Sequence, residues 1–162
     1  MDSISTGGRW LERASEMHIN YLELKAAFFG LQAFVNEMRD VHIRVELDNT
    51  TAVSYINNFD GCKARSCNIL ALQIWCWCIE RRIWLPASHI AGVNNTRADE
   101  ESRLFSDNTE WMLNTKIFKQ VISVFGMPDI DLFSSRLNNQ EPLFVTRRPE
   151  PGSHAVDTFS IT

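Results

Sequence analysis

The sequence predicts an α/β domain over residues 1–106, followed by a helical and extended appendage over 107–162. Three observations carry this. Val41, Ile43, Val45 and Leu47 alternate with polar residues, the pattern of a half-buried strand, and the run stops at Asp48. Leu24, Phe28, Leu31 and Val35 recur at i, i+4, i+7 and i+11, the apolar stripe of a helix ahead of that strand. A second strand-like run, Ile83 to Ile90, follows another long helical pattern, so strands and helices alternate.

Taken in order, Gly7-Gly8 signals a turn or bulge, and Arg9-Trp10-Leu11 reads as the end of a short strand. The first helix is expected from about Asn20 to Asn36, with Glu23 sharing a side with the small residues Ala26, Ala27 and Gly30, which let a helix approach a sheet closely. After the strand ending at Asp48, Asn49 or Thr50 can cap a short helix over Thr51 to Asn57. Asp60-Gly61 marks a turn. Ser66 opens the next helix, to about Arg82, with Ile69, Leu72, Cys76, Ile79 and Ile83 as its apolar face and Leu70, Ile74, Trp75 and Trp77 widening that face. Trp75, Trp77 and Trp84 sit in apolar runs without interleaved basic residues, which places them in the core rather than on a base-stacking platform. Pro86 marks the following strand as an edge or a bulge. A loop over Ala91 to Asn95 leads into a helix from Thr96 through Phe105. Beyond it, a helix over Asn114 to Phe125 ends at Gly126 and Pro128, Asp131-Leu-Phe is β-like, and the tail from Arg147 is expected to be extended or disordered.

Composition excludes several classes. The chain has 162 residues, 44% of them hydrophobic, enough for one core of ordinary size. No apolar run approaches the roughly 20 residues that span a bilayer, and the amino terminus carries no hydrophobic signal segment. Cys62, Cys67, Cys76 and Cys78 lack the spacing of a disulfide framework or a zinc site, so a reduced, intracellular setting, cytoplasmic or nuclear, is expected. On a helix, Cys76 and Cys78 point to nearly opposite sides, which suits packing better than ligation. A net charge of −4 argues against strong nonspecific nucleic-acid affinity. Lys63 and Arg65, ahead of the helix that Ser66 opens, are the nearest thing to a basic patch in that region, and two exposed loop cations are usually just solvated.

Individually, the polar residues of interest admit ordinary roles. Asp48 can simply end a strand ahead of a helix, although a carboxylate there, beside a helix amino terminus, is also a natural cation site next to a phosphate. Glu23 stands three residues after Asn20, the spacing of a capping box. Asp99 lies in the first turn of its helix, where the dipole favours negative charge. His89 alone would be a strand histidine.

In combination and order they resemble the ribonuclease H family of type 1. Asn20-Tyr-Leu-Glu-Leu-Lys-Ala-Ala-Phe-Phe-Gly-Leu resembles the family's helix with the catalytic Glu, and Leu47-Asp-Asn-Thr-Thr-Ala-Val its Asp-bearing strand end. His89-Ile-Ala-Gly-Val-Asn-Asn-Thr-Arg-Ala-Asp99-Glu-Glu-Ser-Arg resembles the His loop and last catalytic Asp. The wording is most similar to the ribonuclease H domain that follows the reverse transcriptase in DIRS-type retrotransposon polyproteins. It is carried by specific motifs from about Ser5 to Phe105, and more weakly by Asp129-Ile-Asp-Leu-Phe-Ser-Ser-Arg-Leu-Asn and Arg148-Pro-Glu-Pro-Gly.

The resemblance implies a ribonuclease H-like mixed sheet flanked by helices, Glu23, Asp48 and Asp99 as ligands of Mg²⁺ or Mn²⁺, and His89 assisting proton transfer or product release. It implies the RNA strand of an RNA/DNA hybrid as substrate, with Asn20 and Asn49 as candidates to contact 2′-hydroxyls. A reverse transcriptase domain is the implied partner, and no membrane is involved. Two-metal hydrolysis uses cations about 3.5–4 Å apart, and Mg²⁺ prefers a few carboxylate oxygens. The family's first strand carries a further Asp, followed by a hairpin, and this sequence begins too late to contain it. Asp2 is not taken as its substitute, because a single short strand between Asp2 and the first helix leaves no room for paired strands. The expectation is therefore a domain with its amino-terminal strand or strands missing, weak or inactive as a nuclease, with an inert scaffold binding nucleic acid or a reverse transcriptase as the alternative. An integrase-like nuclease fits less well, since those enzymes have an Asp, Asp, Glu order and here the Glu comes first.

Overall fold

The computed structural model describes residues 4–7, 10, 14, 16–58, 64–103, 112–132, 134–146 and 150–153, without the side chains of residues 99 and 101–103. Asp2, Gly8, Arg9, Leu11, the Asp60-Gly61 turn, Cys62, Lys63, Leu104, Phe105, Phe133 and most of the tail lie outside the described residues. The protein is mixed α/β, with helices and short parallel strand pairs. It divides into two compact units, Arg9–Glu100 and Met1–Gly8 with Glu101–Thr162.

In the unit Arg9–Glu100, helix α1 spans Ile19–Phe34 and buries Leu24, Phe28 and Leu31, with Val35 packed against the same core, as the apolar stripe predicts. Its cap differs from expectation. His18 is the N-cap, its Nδ1 accepting from the Asn20 N–H at 3.1 Å, so Asn20 lies inside the helix. The capping-box reading of Glu23 is thereby corrected: with the cap two residues earlier, the Asn20 to Glu23 spacing no longer joins a cap to the third helical position. Gly30 also departs from expectation, because a Cβ built there meets nothing within 4 Å, and no close approach depends on it.

Strand β1, Val45–Leu47, pairs in parallel with β2, Ala87–His89, in the register Val45 to Ala87 and Leu47 to His89. The hydrogen-bonded ladder is longer than the regular strands. Trp84 N–H donates to Val41 O, Ile43 N–H to Trp84 O, Val45 N–H to Pro86 O and Ile90 N–H to Leu47 O, all at 2.9–3.0 Å. Pro86 offers a carbonyl but no N–H, which is why regular pairing starts only at Ala87. Helices α2, Thr50–Asn57, and α3, Arg65–Glu80, form the crossover between these strands. Asn57 closes the outer side of β2, with Nδ2 donating to Ala87 O at 2.8 Å and Oδ1 accepting from Ala87 N–H at 2.9 Å. One side-chain amide thus stands in for a neighbouring strand at that residue.

Helix α3 buries only part of the wide apolar face expected of it, the part with Leu70, Ile74 and Trp75. Cys67, Leu70, Ala71, Ile74, Trp75 and Cys78 are buried, while Ile69, Leu72 and Ile79 are 50%, 61% and 65% exposed and Cys76 is exposed. The helix is apolar on most sides, so periodicity alone does not choose between stripes. The buried stripe contains the small residues Cys67, Ala71 and Cys78, which let α3 pack closely on α1 and α2. It also contains Trp75, whose indole N–H donates to Ile56 O at 2.8 Å and is thereby satisfied in the core. Trp84 also departs from expectation: at 59% exposure it lies outside the core, meeting Trp75 edge-on. Its strand face carries His42 and Pro86, also exposed, whereas Ile83, Leu85 and Ala87 alternate inward.

Helix α4, Thr96–Arg103, follows a short turn at Gly92–Asn94. In the other unit, α5 spans Thr115–Phe125, with Asn114 capping through the Lys116 N–H at 2.9 Å and Gly126 ending it at φ 87°. This agrees with the expected stop at Gly126. Strands β3, Asp131–Leu132, and β4, Phe144–Val145, pair in parallel, and the Asp131 carboxylate accepts from Gln140 N–H at 2.8 Å to hold the intervening loop.

Candidate functional site

The parallel register brings the ends of β1 and β2 level, so Asp48, one residue past Leu47, lies beside the strand end that carries His89. Asp48 is exposed and ends the strand because the chain turns there into α2. Asn49 is the N-cap of that helix, its Oδ1 accepting from Ala52 N–H at 2.9 Å. The same amide reaches across to α1, with Nδ2 donating to Asn20 Oδ1 at 3.0 Å. This bond ties the first turn of α1 to the end of β1. Glu23, one turn along α1 from Asn20, is thereby held on the side of Asp48.

Electrostatics give the same picture. Burial, first, and the negative charge of Asp48, second, push the Glu23 carboxyl above its ordinary value. A carboxyl group whose proton affinity is raised by burial and by a neighbouring negative charge is one that a proton or a cation relieves. Asp48 Oδ2 accepts from Asn95 Nδ2 at 3.2 Å. Among the described residues, the side chains hydrogen-bonded at this place are neutral amides, those of Asn20, Asn49 and Asn95.

Each residue anticipated from sequence can be located. The charge of Asp48 is felt at Glu23, the Asn20–Asn49 hydrogen bond joins the first turn of α1 to the residue after Asp48, and His89 stands exposed at the end of β2. Asp99 falls in the first turn of α4, and its side chain lies outside the described residues. Among the described residues, no group of three or more His, Cys, Asp or Glu side chains converges to hold a metal ion. The two carboxylates alone fit Mg²⁺, which keeps several waters and is commonly held by one or two carboxylates. Asn95 was not singled out in the sequence; its signal was a position directly before a helix start, the place of a polar side chain free to bond locally.

No helix among the described residues is long and apolar enough to cross a membrane. No protein family, curated protein or solved structure matches the chain.

Proposed function

We propose that the chain carries a ribonuclease H-like domain of the DIRS retrotransposon type, acting on the RNA strand of RNA/DNA hybrids with Mg²⁺ or Mn²⁺. The observation that carries the reading is the pairing of Glu23 and Asp48, from a helix and a strand end far apart in sequence, beside an exposed His89. The motif resemblance selects those residues, and the raised Glu23 pKa supports their proximity. In this reading Glu23, Asp48 and Asp99 hold the cation. When bound, it supplies an activated water and stabilises the leaving oxygen. In the same reading, His89 assists proton transfer or product release. Among the described residues no hydrogen bond uses Asn20 Nδ2, which leaves that amide a donor for a ribose 2′-hydroxyl in a shallow minor groove.

A second reading keeps the same fold without the chemistry. It makes the domain an inert scaffold of the same kind, binding nucleic acid or a reverse transcriptase partner. Cleavage of a labelled RNA/DNA hybrid in Mg²⁺ or Mn²⁺, compared with Asp48→Asn and Glu23→Gln, separates the two. The hydrolase reading expects metal-dependent cuts in the RNA strand, weak in rate, that either substitution abolishes. Hybrid binding without cutting, unaffected by Asp48→Asn, gives the scaffold reading.

A further inference from the structure

We infer that Asn95 is the positioning residue of the carboxylate pair, orienting Asp48 for a divalent cation without neutralising it; this rests on the cation-binding reading above. From Ala91 to Ala98 every residue is exposed except Asn95, which is half-buried. Its backbone is fixed as well, since Asn95 N–H donates to Gly92 O at 3.0 Å and closes the turn ahead of α4. The loop thus holds one side chain inward, and that side chain donates to Asp48 Oδ2 at 3.2 Å. Among the described residues no hydrogen bond reaches Asp48 Oδ1, so one oxygen is committed to the amide and the other is left open.

The chemistry of the donor matters. A Lys or Arg in this place would orient Asp48 but also cancel its charge, and with it the attraction for a cation. An amide restricts the carboxylate torsion and leaves both negative charges of the pair in place. Such supporting hydrogen bonds hold ligands in the geometry that a metal requires. The same bond fixes the loop immediately before α4, the helix on which Asp99 stands one turn further along.

The test uses the full chain as wild type, Asn95→Ala, Asp48→Asn and the double variant. Mn²⁺ affinity is read by titration calorimetry, and amide hydrogen exchange over residues 96–103 is followed without metal. Asn95→Ala is expected to weaken Mn²⁺ binding about tenfold. It is also expected to speed exchange at the start of α4, with no further effect once Asp48 is Asn. If wild type binds Mn²⁺ through Asp48 and Asn95→Ala binds equally well, the positioning role is overturned and the site stands. If wild type shows no Asp48-dependent binding, the cation reading fails and this inference with it, and any exchange effect then reports a structural tether alone.

Discussion

Glu23 gives the candidate site one pH-dependent prediction. Its carboxyl titrates above the ordinary value because of burial first and the Asp48 charge second. Between the ordinary and the raised value, the folded state still holds a proton that the unfolded state has released. The group's contribution to stability is therefore full below the ordinary value and is lost as pH rises through the folded one. Asp48→Asn removes the second cause and keeps the first, so carboxyl NMR titration is expected to show the Glu23 midpoint moving down without returning to the ordinary value. An unchanged midpoint would separate the two carboxylates. Mg²⁺ is expected to move it down as well, since cation and proton compete for the same oxygens. A second single-residue prediction concerns Asn57. Asn57→Ala leaves the Ala87 N–H and C=O without their partners in a partly buried place, so chemical denaturation is expected to show a loss of about 1–3 kcal/mol. Asp48 was legible because a strand pattern stopped at a carboxylate followed by a capping residue. The Asn57 contact was not, because pairing between a side chain and a strand 30 residues away leaves no local pattern.

At the scale of elements, the sequence read well where one face was apolar and poorly where several were. Helix α1 has one clear stripe, and Leu24, Phe28 and Leu31 are buried as that stripe requires. Helix α3 has apolar residues nearly all round, and hydrophobicity favoured Ile69, Leu72 and Ile79, whereas packing selected the stripe with small residues that bring helices together. The choice is open to a direct comparison. Leu70, 1% exposed, is expected to cost about 2–5 kcal/mol when changed to Ala. Leu72→Gln on the exposed stripe is expected to change stability by no more than about 0.5 kcal/mol. Equal losses at the two positions would show that the outer stripe is also packed. In α1, Gly30 has helical backbone and open space around its missing Cβ. Gly30→Ala is expected to raise stability by about 0.5–1 kcal/mol, read as a higher denaturation midpoint.

At the scale of the whole molecule, stability is concentrated where buried side chains are. The core of the unit Arg9–Glu100 draws on α1, α2, α3 and the ladder residues Ile83, Leu85 and Ala87. Helix α5 is different: its 11 residues include no buried one, although its apolar and polar residues fall on separate sides. Helices shorter than about 12–15 residues are marginal in water, and tertiary packing of an apolar face supplies most helical stability in proteins. A clean cap at Asn114 and a stop at Gly126 made α5 legible in the sequence, but caps define where a helix begins and ends, not how firmly it is held. Local opening therefore governs its amides, while those of α3 open only with the core. Native-state hydrogen exchange with mass spectrometry is expected to show residues 115–125 exchanging orders of magnitude faster than residues 67–78. Comparable protection in the two segments would mean that the apolar side of α5 is covered in solution.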